Sequence, residues 1–130
     1  MKKIAFFLFL ALFAQVAFAQ TAANDNQQST QFKVLGNCSM CKKTIEKAAL
    51  DADATTASWD AKTDMLAITF KNKKTSADAV QKAVAMAGYD NAGYKANDEA
   101  YNKLHGCCQY DRTGEAGGTK SCMAEEPKKQ

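Results

Sequence analysis

The residues of this 130-residue chain best equipped for chemistry are five cysteines and a single histidine, and they are clustered. Cys38 and Cys41 lie three positions apart, His105, Cys107 and Cys108 fall within four residues, and Cys122 stands alone. Two thiolates at Cys-x-x-Cys spacing at a helix start can face one ion, and the helix dipole and free N–H groups there favour negative charge. Lys42 and Lys43 follow at once, and nearby positive charge lowers a thiol pKa. Soft sulfur ligands select Cu(I), Zn(II) and similar ions over Mg or Ca. His105, Cys107 and Cys108 form a second candidate metal cluster, because three soft or borderline ligand types adjoin. Adjacent thiols diverge too much to chelate as Cys-x-x-Cys does, but each can give one thiolate to a shared site. Met40 offers a thioether, although a side chain between two ligands more often packs or faces solvent. Cys122 is an accessory ligand at most.

The odd cysteine count and tight clustering argue against a disulfide framework, since closing a loop of a few residues removes little unfolded-chain entropy. A Cys38–Cys41 disulfide stays open, as does pairing of either residue with Cys107 or Cys108. Cys-x-x-Cys after a strand is shared by soft-metal carriers and thiol-disulfide oxidoreductases. The thioredoxin-type site lies beside a cis-proline, and the single proline here, Pro127, sits near the C-terminus. The redox alternative loses weight accordingly.

The elements that must position these residues follow an uneven hydrophobic pattern. Met1-Lys2-Lys3, an apolar run from Ile4 and the small residues Ala17 and Ala19 read as a secretory signal at 1–19. The uninterrupted run is half the length a membrane anchor needs, so the mature form is not expected to be membrane-embedded. Cleavage near Ala19 implies a periplasmic or secreted protein. The overall charge of +3 falls to +1 once Lys2 and Lys3 leave, too little to argue for nucleic acid. Size and composition exclude a multidomain enzyme and a Pro-rich chain.

Residues 20–30 are polar and read as a disordered linker. Phe32 and Val34 alternate with polar neighbours up to Gly36, which predicts a strand. Ile45, Ala48, Ala49 and Ala52 at helical spacing predict a helix behind the Cys38–Cys41 loop. Thr55–Asp60 and Met65–Phe70 read as a hairpin across a polar turn, with Trp59 and Phe70 as core. Ser76 caps a second helix with Val80, Ala83, Val84 and Ala87 on its apolar stripe, ending at Gly88. Tyr89–Lys95 is expected as the last strand. The order strand, helix, strand, strand, helix, strand over 31–96 predicts an α+β fold, the ferredoxin-like βαββαβ sandwich. That topology brings Cys38, Cys41 and Tyr89 to one edge. An extension at 97–110 starts with a short helix capped by Asn97, anchored by Tyr101 and Leu104, and carries the His105, Cys107 and Cys108 cluster. It is long enough to fold back over the first loop and lid the metal site. Residues 111–130 are expected to be a disordered tail.

Taken together, Val34-x-Gly36-Asn37-Cys38-Ser39-Met40-Cys41-Lys42-Lys43, Ala57-Ser58-Trp59-Asp60, Leu66-x-Ile68 and Ala87-Gly88-Tyr89-Asp90 resemble the heavy-metal-associated domain. That family includes copper chaperones and the periplasmic mercuric-ion binding protein. The resemblance covers residues 32–95 and implies binding of Cu(I), or of Hg(II) or Zn(II), by Cys38 and Cys41. It also implies that Tyr89 packs beside the loop and limits solvent access there, the alternative being an ordinary core aromatic. The spacing departs from the family in that Asn37 alone separates Gly36 from Cys38, so the usual loop methionine is missing. The expected function is an exported metallochaperone, without catalytic turnover, that passes Cu(I) by thiolate exchange to a metal-transporting or metal-accepting protein with thiolate ligands. The alternatives are a sequestering protein for Hg, Zn or Cd, and a periplasmic thiol-disulfide oxidoreductase. A monomer is expected, or a dimer bridged by metal.

Overall fold

The computed structural model describes residues 26–113 and 120–121. The expected leader, most of the linker and Cys122 lie outside the described residues. Along the chain run β1 (Gln27–Lys33), α1 (Ser39–Asp51), β2 (Ala54–Asp60), β3 (Met65–Lys71), α2 (Ala77–Met86), β4 (Tyr94–Lys95), α3 (Asp98–Asn102), a 3₁₀ turn at Gly106–Cys108, and β5 (Lys120–Ser121). The main sheet has the order β1-β3-β2 and is antiparallel throughout. Among the described residues no helix is long and apolar enough to cross a membrane.

Alternation in β3 settles the sheet's two faces. Leu66, Ile68 and Phe70 are buried with Phe32 and Trp59, and they pack in one core with Cys41, Ile45 and Ala49 of α1 and Val80 and Val84 of α2. The outer face stays polar, as the Thr56–Thr69 hydroxyl contact at 2.6 Å illustrates. β1 begins at Gln27, inside the expected linker, because Gln27–Gln31 pair with Ala67–Lys71 through backbone bonds. Those residues are exposed, so no apolar alternation marks them in the sequence. Ser76 caps α2 as expected, its hydroxyl accepting from the Ala79 N–H at 3.1 Å.

The fourth strand departs most from the sequence expectation. It contacts β1 as a single bridge, Asn91 opposite Val34, flanked by Leu35 N–H to Asp90 O and Ala92 N–H to Lys33 O, each 2.9 Å. Asn91 breaks the strand by building its own turn: its Oδ1 accepts from the N–H groups of Gly93 and Tyr94, while its Nδ2 donates to the Gln81 carbonyl. β4 then pairs in parallel with β5 instead, in a two-stranded sheet.

The extension docks on the end of α2. Gly88 makes this close approach possible, with φ at +105° and an added Cβ that would sit 2.9 Å from the Ala100 carbonyl oxygen. Asn97 caps α3 by accepting from the Ala100 N–H at 2.6 Å, and Tyr101 and Leu104 pack against the core.

Candidate metal centre

Cys38 ends the loop after β1 as the N-cap of α1, in extended conformation. Its position depends on Gly36, where a Cβ would lie 2.9 Å from the Trp59 ring and 3.3 Å from Cys41 Cβ. Trp59 supports the loop from below and donates its indole N–H to the Val34 carbonyl at 3.0 Å. Cys41 lies one turn into α1 on the same buried stripe as Ile45 and Ala49, and its sulfur accepts from the Asn37 N–H at 3.4 Å.

A third thiol joins them from a distant part of the chain. Cys108 is 3 % exposed, with its Sγ 3.8 Å from that of Cys38, which in turn is 3.5 Å from Cys41 Sγ. All three sulfurs lie within 4.8 Å of one another. A metal–sulfur bond of about 2.3 Å puts trigonal ligands about 4.0 Å apart and linear ones about 4.6 Å apart. The two shorter edges lie nearer the trigonal spacing than the linear one.

Burial and the helix end give the thiols different acidities. Cys38 is lowered to about 7, chiefly by the backbone N–H of Cys41, with the Cys41 thiol, the Met40 N–H and the Cys108 thiol adding to it against desolvation. Cys108 is pushed up to about 12, first by burial and then by the neighbouring Cys41 and Cys38. One ligand is thus poised as a thiolate near neutral pH, and another is held as a thiol.

Aromatic rings close the inner side. Tyr89 is fully buried and stacks on Tyr110 with centroids 5.8 Å apart, while Tyr101 meets Tyr110 edge-on at 5.2 Å. Burial, then the nearby Cys41 and Cys108, push the Tyr89 phenol upward. The same hydroxyl is near Thr44 and Cys41 yet closes no hydrogen bond of good geometry.

The residues that bring Cys108 here have no local signature. Tyr110 donates its hydroxyl to the Gly88 carbonyl at 2.8 Å and accepts from the Asp90 N–H at 2.7 Å. Arg112 makes two bonds to Asp90, each 2.9 Å, and adds the Asp98 carboxylate and the Ala96 carbonyl, each 2.7 Å. Its guanidinium also lies 4.8 Å from the centre of the Tyr101 ring. Sequence reasoning missed this clamp, although one signal was available. Arg112 is the single arginine among 17 basic residues, and a bidentate, ring-stacked site needs a guanidinium.

The other expected site residues lie outside the three-sulfur group. His105 is exposed and outside the sulfur cluster, contributing its carbonyl to the Cys108 N–H at 2.7 Å. Cys107 is exposed. The Lys42 ammonium is engaged by Glu46 and by the Trp59 carbonyl, while Glu46 also accepts from the Trp59 N–H at 2.9 Å. Lys42 thereby ties α1 to β2. Lys43 is exposed.

No family model and no curated protein matches the chain. Two solved structures are similar to it. One is described as the CopZ metallochaperone, at 23% identity over 48% of this chain and 97% of that one, with a TM-score of 0.46. The other is the crystal structure of oxidized MerP from Ralstonia metallidurans CH34, at 32% identity over 48% of this chain and 90% of that one, also with a TM-score of 0.46. Cys38 thus caps α1, Cys41 lies one turn into it, and the extension adds Cys108 beside them.

Proposed function

We propose that this protein is an exported carrier of a soft metal ion, Cu(I) before others, held by Cys38, Cys41 and Cys108 and passed on by thiolate exchange. The observation that carries this reading is the convergence of three thiols, from two segments far apart in sequence, at one helix N-terminus. The ligand set is all sulfur, which suits Cu(I) and Hg(II). Zn(II) almost always takes four ligands, and among the described residues no fourth His, Cys or carboxylate joins the group. The apolar leader at 1–19 supports export.

Transfer is a sequence of metal–sulfur exchanges. Cys38, the more exposed of the three and the one lowered to about 7, is the ligand beside which an acceptor thiolate attacks. Cys41 and Cys108 hold the ion from the buried side while one sulfur replaces another, and Tyr89 and Tyr110 keep water from that side. Sequestration of Hg(II) is the second reading, favoured by the burial of two of the three ligands.

Anaerobic native mass spectrometry of the reduced protein against Cu(I), Zn(II) and Hg(II) tests the proposal, followed by transfer to a dithiol acceptor. Tight Cu(I) binding with rapid transfer is expected, and no catalytic reduction of insulin disulfides. Cu(I) affinity that is undiminished in the Cys38→Ser/Cys41→Ser variant overturns the assignment. Tight Hg(II) binding without Cu(I) transfer selects sequestration.

A further inference from the structure

The three-thiol site leaves two soft side chains beside it unused. Met40 and Cys107 are both exposed, and their sulfurs meet across 67 positions of sequence: Cys107 Sγ lies 3.7 Å from Met40 Sδ. Cys107 Sγ is also 4.0 Å from Cys108 Sγ, because the 3₁₀ turn over Gly106–Cys108 draws the adjacent thiols together. The two edges that meet at Cys107 are thus close to the roughly 4.0 Å that 2.3 Å bonds to one three-coordinate ion require. Among the described residues sulfur is the donor throughout, since His105 stands outside the cluster and no carboxylate joins it.

We propose that Cys107, Met40 and Cys108 hold a second soft monovalent ion of the Cu(I) class, with the Cys108 sulfur shared between it and the ion at Cys38 and Cys41. This rests on the reading of the inner thiols as a Cu(I) site. A thiolate sulfur carries several lone pairs, so Cys108 can bridge two ions. Once Cys108 has released its proton to solvent on binding the first ion, loading the second releases one proton from Cys107 to solvent and brings in one positive charge. The net charge of the site is then unchanged. Met40 carries no proton to lose, and its thioether favours Cu(I) over the harder Zn(II). The outer station lies on the exposed side of the inner one, where an ion can arrive or depart without opening the buried thiols.

Native mass spectrometry of the reduced full chain, titrated anaerobically with Cu(I) buffered by bicinchoninate and in parallel with Zn(II), tests the proposal. The expected result is a first Cu(I) equivalent, then a weaker second one that is lost in Met40→Leu and in Cys107→Ser while the first persists. Zn(II) is expected to stop at one equivalent. Persistence of the first equivalent in each variant also shows that the variant is folded. Saturation of the unaltered chain at one Cu(I), or a second equivalent that is undiminished in both variants, overturns the outer site alone. Failure to bind even the first equivalent overturns the inner-site reading, and the outer site with it.

Discussion

Replacing Cys108 with serine changes how Cu(I) affinity depends on pH, and the structure supplies the size of the change. A ligating cysteine must shed its proton, so metal binding releases protons and strengthens as pH rises. The Cys108 thiol, pushed up to about 12, is fully protonated throughout an accessible range such as about pH 6.5 to 8. Its ligation therefore releases one whole proton, and each unit of pH adds one decade to the affinity through this residue alone. The Cys108 thiol is the least of the causes that lower Cys38, so the protons of the other ligands nearly cancel in the ratio. The affinity of the unaltered protein relative to Cys108→Ser is expected to grow roughly 30-fold between pH 6.5 and 8. Competition titrations against a chromophoric Cu(I) chelator at several pH values give this ratio, with circular dichroism confirming that the variant is folded. Parallel lines for the two proteins would refute the placement of Cys108 in the first coordination shell.

Cys38 is expected to be the first cysteine alkylated by iodoacetamide in the metal-free protein, with a rate that rises with pH to half its maximum near 7. A midpoint near 9 would show that the helix end does not stabilise the thiolate. Arg112→Ala breaks a largely buried ion pair, a change worth about 3 kcal/mol or more, and is expected to weaken Cu(I) binding by loosening Cys108. In a Cys108→Ser background the same change should leave affinity unaltered, and a full additive loss in the double variant would disprove that route. Tyr89→Phe removes a buried hydroxyl without a hydrogen-bond partner and is expected to raise the urea stability of the metal-free protein by about 1 kcal/mol. A clear loss of stability would mean that the hydroxyl is satisfied.

The parts of the fold that bury an apolar face were legible in the sequence, because alternation in β3 and the stripes of α1 and α2 report that face directly. Cys38 and Cys41 were legible as a pair at the junction of first strand and first helix, although α1 begins at Ser39 and takes Cys41 into its first turn. What the sequence hid depends on partners distant along the chain. Gln27–Gln31 form strand through backbone pairing on an exposed edge of polar side chains. Asn91 replaces a ladder with a turn of its own. Thr113 is the last residue described before β5, and Arg112 just before it anchors a segment whose composition reads as tail. Cys108 is the instructive residue: the fold-back was foreseeable from the length of the extension, but the choice of Cys108 over His105 was not. That choice is made by Tyr110 and Arg112 pulling the chain down onto Gly88 and Asp90.

The shared site also has a consequence for the chain as a polymer. Cys38 and Cys108 are 70 positions apart, so an ion held by both cross-links nearly the whole described domain into one loop. By the arithmetic that applies to disulfides, closing a loop of that length removes about 4 kcal/mol of unfolded-chain entropy. On the proposed function, the cargo is then also a reversible staple: the loaded protein resists unfolding, and surrendering the ion lowers that resistance again.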